Sequence, residues 1–172
     1  KATPDVAWYD SSTALAQAML NQVANPFETD DNTVDVENDD LKAVWEAVTG
    51  NVEKGLSTQL TQWGDDWTAS FQKDGFATMA CPGWMLGVIE GNAEGVDGWD
   101  IANVFPGGGG NWGGSFLTVP SQGDNLEEAQ EVAAWLTAPE QQVKAFEAKG
   151  TFPSQVEALT AEAVTSATNA FF

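Results

Sequence analysis

Leu15, Met19, Leu20 and Val23 recur at helical spacing behind the cap candidates Ser11-Ser12-Thr13, which predicts a first helix over residues 13–23. Leu41, Val44, Trp45, Val48 and Val52 mark one face of a second helix. Asp39-Asp40 stand at its start, where the helix dipole favours acids, and Gly55 follows its end. Trp67 and Phe71 are four residues apart in a third helix, from 65 or 66 to about 73. The short apolar run Phe76-Ala77-Thr78-Met79-Ala80 is of strand type, and Cys81-Pro82-Gly83 turns the chain into a helix over residues 84–90.

Polarity alternates along Trp99-Asp100-Ile101-Ala102-Asn103-Val104-Phe105, which predicts a strand stopped by Pro106 and a glycine-rich loop, and Phe116-Leu117-Thr118-Val119 predicts another beyond that loop. Helices are expected over 125–136 and 139–149, hinged at Thr137-Ala138, the second with Pro139 in its first turn and Gly150 after its end. Weaker helical pattern runs from 155 towards 169. Strands alternating with helices give an α/β architecture, whose ligand loops lie at strand ends. No repeat, long low-complexity tract or obvious linker divides the chain.

Composition narrows the chemistry. The chain has 172 residues, 42% hydrophobic and 19% charged, enough for one ordinary domain with a core and too few for two large ones. A net charge of -20 repels phosphates and anionic lipid, which argues against nucleic-acid and acidic-membrane partners. All six cations are Lys; there is no Arg to clamp a carboxylate or phosphate and no His for a Ser-His or Cys-His dyad, so a neutral ligand is favoured. Cys81 stands alone, which rules out an internal disulfide or a cysteine zinc site and leaves it the role of a small buried hydrophobe. Glu28-Thr29-Asp30-Asp31-Asn32 lacks the Gly and spaced ligands of a calcium loop and reads as solvated. No cofactor or metal is expected. No run approaches the ~20 apolar residues that cross a bilayer, and the apolar end at Phe171-Phe172 reads as a cut in something longer.

The candidate chemistry is aromatic. Among eight Trp, Trp45 and Trp135 lie in helical apolar stripes, Trp99 opens a strand and Trp67 pairs with Phe71, so these four are expected in the core. Trp84 follows Gly83, and Trp112 lies in Asn111-Trp112-Gly113-Gly114, where nearly naked backbone admits close approach; both are candidate ligand platforms. Trp63 fits either role. Asn111 serves either the turn or a ligand, since Asn tolerates left-handed backbone and also supplies a donor and an acceptor. An indole face suits the C–H face of a sugar ring, while an amide suits its hydroxyls. Carboxylate pairs for glycoside hydrolysis, such as Asp66 with Asp100 or Asp65 with Asp97, can be drawn, but that mechanism needs a separation that sequence does not supply.

Several blocks in one order resemble the extracellular solute-binding proteins of bacterial ABC sugar importers, particularly the cello-oligosaccharide-type binders of Gram-positive, high-GC bacteria. They are Phe71-Gln72-Lys73-Asp74-Gly75-Phe76-Ala77-Thr78-Met79, Pro82-Gly83-Trp84, residues 99–106, Asn111-Trp112-Gly113-Gly114-Ser115, Leu136-Thr137-Ala138-Pro139-Glu140-Gln141 and Gly150-Thr151-Phe152-Pro153-Ser154. The resemblance implies a type II periplasmic-binding-protein-like α/β fold, mostly its second lobe. Residues 1–98 would be the second-lobe segment, and residues 99–172 hinge strands and a return towards the first lobe. It further implies a nonenzymatic binder of neutral oligosaccharide that delivers to an ABC transporter permease, extracellular and anchored at the cell surface as a lipoprotein. Trp84 is similar to the family's stacking aromatic, Asn111, Trp112 and Gly113 to its cleft-edge loop, and Asp10 falls where the second lobe begins and often touches ligand. The alternatives are a secreted glycoside hydrolase and a carbohydrate-binding module, the latter opposed by the helical patterns, since such modules are usually β-sandwiches. Half of a hinged protein would expose surface that favours self-association.

Overall fold

The computed structural model describes residues 6–172. The chain divides into two compact units, one extending to Trp112 and including Phe171, the other Gly113–Ala170 with Phe172.

The first unit is built on a short parallel pairing. Strand β1 (Ala7–Tyr9) pairs with β2 (Phe76–Thr78) in the register Ala7↔Phe76 and Tyr9↔Thr78, and a parallel bridge Tyr9↔Ser57 adds a third extended segment. Parallel segments need crossovers, and helices supply them. Between β1 and Ser57 run α1 (Ser12–Leu20) and α2 (Asp39–Glu53); between Ser57 and β2 runs α3 (Asp65–Ser70). After β2, a 3-10 turn (Gly83–Met85) leads into α4 (Leu86–Asn92).

The α1–α2 pair shows the predicted period in use. Ala16, Val44 and Val48 are buried between them, and Leu15, Met19, Leu20 and Val23 pack against this cluster. Asn38 caps α2, its side-chain oxygen accepting the Leu41 N–H at 2.8 Å, while its amide donates to the Pro26 and Asp35 carbonyls. Asp39 and Asp40 occupy the first turn. Trp45, expected in this core, is instead exposed: it lies one residue round the helix from Val44, off the Leu41–Val44–Val48 line that faces α1.

In the second unit, α5 (Leu126–Leu136) and α6 (Pro139–Lys149) meet at the predicted hinge, with Thr137 ending one helix and Ala138 starting the next. Gly150 closes α6 at φ 67°, the left-handed cap conformation. Gln142 staples α6 to the following segment, accepting from the Ser154 and Gln155 amides and donating to the Thr137 carbonyl. Phe146 packs on Phe152 with ring centroids 5.3 Å apart. The weak pattern after residue 155 resolves into two single turns, α7 (Val156–Leu159) and α8 (Glu162–Thr165).

Two predicted strands do not form. Residues 99–105 and 116–119 lack regular secondary structure, and Ile101, Val104, Phe116 and Leu117 are exposed. Alternation fits a segment for a sheet, but a strand also needs a ladder partner, and among the described residues none pairs with these. Trp135, expected in a core stripe, is exposed on α5, a helix with no buried residue.

Candidate functional site

Because β1, the Ser57 segment and β2 are parallel, their carboxyl ends leave the same edge. In open α/β sheets that edge is where ligands are held. From it emerge Asp10, after β1; the loop to Trp63, after Ser57; and Cys81-Pro82-Gly83-Trp84, after β2. Three residues far apart in sequence thus come from one edge.

Trp63 and Trp84 form the most distinctive feature there. Their rings are 6.2 Å apart between centroids and only 12° from parallel, and the two residues remain 59% and 51% exposed. A stacked indole pair left half in water is poor core packing and good platform geometry. Trp84 sits on the 3-10 turn, pinned by its buried neighbour Met85 and by Ile89 beyond. Trp63 is held with φ 69°, a left-handed backbone rare for a bulky side chain, and Gln59 in the same loop has φ 58°. Such conformations cost of order 1–3 kcal/mol each and persist where the surroundings over-determine them.

Beneath the pair the aromatics continue inward. Trp63 contacts Trp67 at 5.3 Å, Trp67 meets Phe71 edge-on at 4.7 Å, and Phe71 touches Phe76 and Trp99 at 5.3 and 5.7 Å. Trp67 is 1% exposed, as its pairing with Phe71 predicts, and Trp99 is half-buried against Phe71 and Phe76 although its segment is not a strand. The platform therefore rests on a packed aromatic column.

Asp10 lies under the platform. It is 1% exposed, and its Oδ2 accepts from Trp67 Nε1 at 2.9 Å and from Gln62 Nε2 at 3.3 Å, while its Oδ1 has no hydrogen-bond partner. Burial pushes the carboxyl above its ordinary range, partly opposed by hydrogen bonds from Trp67, Gln62 and the Ser11 and Asp10 backbone N–H groups. Cys81 is half-buried, and its thiol is raised first by burial and then by the Asp10 charge. Beside the platform, a depression of about 510 Å³ is lined by Gln59, Leu60, Thr61, Gly64, Asp65, Asp66 and Trp67. Its lining is polar and shares Trp67 with the aromatic column, but neither Trp63 nor Trp84 lines it.

The glycine-rich loop finds its close contact within the chain. Gln22 Nε2 donates to the Pro106 and Gly108 carbonyls at 2.8 and 2.5 Å. A side chain on Gly110 would come within 2.8 Å of the Asn21 carbonyl, and Gly107 has φ 81° with Gln22 against it. These glycines are needed to dock the loop on the end of α1. Trp112, half-buried, and Asn111, exposed, follow in the first unit; Gly113, at φ 103°, begins the second. Among the described residues no ring contact joins Trp112 to the Trp63–Trp84 pair. Sequence reasoning missed β1, the Gln22 anchor, and the Gln62–Asp10–Trp67 cluster; only the β-forming Trp8-Tyr9 pair signalled the first.

An exposed aromatic platform at the carboxyl edge of parallel strands is an arrangement suited to holding a ligand. A family comparison gives the lineage: the chain belongs to the bacterial extracellular solute-binding protein family, whose model matches residues 1–171. It is also similar to a crystal structure described as an extracellular solute-binding protein family 1, with 50% sequence identity and a TM-score of 0.92. That match covers 99% of this chain and 44% of the solved one, so the chain spans less than half of that relative's length. No curated protein matches it.

Proposed function

We propose that this chain supplies one wall of a cleft that binds a neutral oligosaccharide, as part of a longer two-lobed protein delivering the sugar to an ABC transporter permease at the cell surface. The observation that carries the reading is the stacked, half-exposed Trp63–Trp84 pair. A sugar lays its C–H face on an indole and needs its rim hydroxyls paired when buried. Trp84 and Trp63 provide the face. Trp112 and Asn111 contribute from the cleft-edge loop, and Asp10 belongs to the same edge beneath the indoles.

Neutrality follows from charge. A chain at -20 without Arg repels anionic sugars and lacks the fork that would clamp them. The exposed apolar residues of 101–104 and 116–117 support a longer protein that covers them, and in its absence they favour self-association. In this reading residues 1–98 belong to the second lobe and residues 99–172 to the hinge and return.

The test is a thermal-shift screen of the full-length protein against neutral and anionic oligosaccharides, since a ligand stabilises the state it binds. A neutral oligosaccharide is expected to raise the melting temperature, and a chromogenic cellobioside is expected to stay intact. Stabilisation by anionic sugars alone would overturn the neutral-ligand reading, and turnover of the cellobioside would overturn binding without catalysis.

A further inference from the structure

Among the described residues Asp10 is a buried carboxylate without a counter-ion: the two ion pairs there, Lys42–Glu46 and Lys144–Glu140, lie elsewhere. Burying such a group is costly unless hydrogen bonds satisfy it. What Asp10 binds is the underside of the platform. Its Oδ2 receives Trp67 Nε1 and Gln62 Nε2, and its backbone carbonyl receives the Thr58 hydroxyl. Thr58 Oγ1 in turn accepts the Leu60 amide, and the Ser57 hydroxyl accepts the Gln59 amide. The segment so tied, 57–63, is the one that carries the left-handed residues Gln59 and Trp63.

The two tethers converge on Trp63. Gln62 is its chain neighbour, and Trp67 is the ring on which it leans at 49°. Rotation of the Trp67 indole would move the surface beneath Trp63 and so change the tilt of Trp63 against Trp84. We propose that Asp10 is the positioning residue of the indole platform: its carboxylate fixes Trp67 and Gln62, and through them sets the plane of Trp63 parallel to Trp84. The role deepens the oligosaccharide-binding reading and rests on it for its purpose, but the positioning is testable with no sugar present.

One acceptor oxygen suffices for this task, because both side-chain donors converge on Oδ2, while Oδ1 receives no side-chain hydrogen bond and the carboxylate's remaining neighbours are the Ser11 and Asp10 backbone N–H groups. Asp10→Asn keeps an acceptor for Trp67 and Gln62. Asp10→Ala removes the acceptor altogether.

The reporter is the exciton couplet that two stacked indoles give in circular dichroism, defined as the signal lost in Trp84→Ala. In the full-length protein Asp10→Ala is expected to lose more than half of that couplet while keeping its helical signal, Asp10→Asn to keep it, and Gln62→Ala to lose part of it. Sugar affinity is expected to follow the couplet across the set. A folded Asp10→Ala protein with an intact couplet overturns the proposal; should Asp10→Ala fail to fold, an unchanged couplet in Gln62→Ala overturns it. An Asp10→Asn protein with a full couplet but at least tenfold weaker sugar binding overturns it too, since Asp10 would then touch the ligand directly. If no neutral sugar binds the wild type and the couplet still depends on Asp10, positioning stands and the ligand reading falls.

Discussion

At the residue scale, burial and exposure separate Trp side chains that composition leaves alike. Trp67 and Trp63 are four positions apart, yet one is sealed with its N–H on Asp10 and the other stands half in water. Trp84→Ala or Trp63→Ala in the full-length protein is expected to weaken neutral-sugar binding at least tenfold by calorimetry, about 1.4 kcal/mol. Asp10 carries a pH signature as well. Burial raises its carboxyl, so the folded state holds that proton more tightly than the unfolded state does. The group therefore favours folding once pH falls through its raised pKa and opposes folding above it. Asp10→Asn does not titrate, so the difference in melting temperature between it and wild type is expected to shift in favour of wild type as pH falls into the acid range. A difference that stays constant across pH would assign no proton linkage to Asp10.

At the scale of elements, the helices were legible because each carries its own period and caps. Leu15, Met19, Leu20 and Val23 forecast the face α1 turns to α2, and Pro139 and Gly150 bracket α6 where they should. Strands were less legible because pairing is a property of two segments. The alternation at 99–105 looks like a strand and forms none, whereas β1, only three residues long, is fixed by partners near 57 and 76 that its own sequence does not mention. The site shows the same division. Trp84 could be picked out from its neighbouring glycine, and no ring contact among the described residues joins Trp112 to it; the Trp63–Trp84 stack and the Asp10–Trp67 bond join residues 21 and 57 positions apart, which only the parallel crossovers bring together. Two element-scale outcomes follow. Asn38→Ala, which strips the α2 cap, is expected to cost about 1 kcal/mol in urea unfolding; an unchanged midpoint would mean the cap contributes nothing. Gln22→Ala is expected to speed amide exchange of the loop around Gly108 while leaving α2 protected, and equal exchange would show that the loop is held by other contacts.

At the scale of the whole molecule, the chain belongs to the solute-binding protein family and spans 44% of the solved relative it matches. Its apolar segments at 101–104 and 116–117 are exposed. A platform with one wall buries one face of a sugar, and most ligand sites enclose far more. The 172-residue chain alone is therefore expected to bind sugar at millimolar affinity or below detection, with the full-length protein much tighter. The most direct measurement is a calorimetric titration of the full-length protein and its Trp84→Ala variant with the neutral oligosaccharide that stabilises the wild type most. The account predicts affinity at least tenfold lower in the variant; equal affinity would remove the indole stack from the site and contradict it.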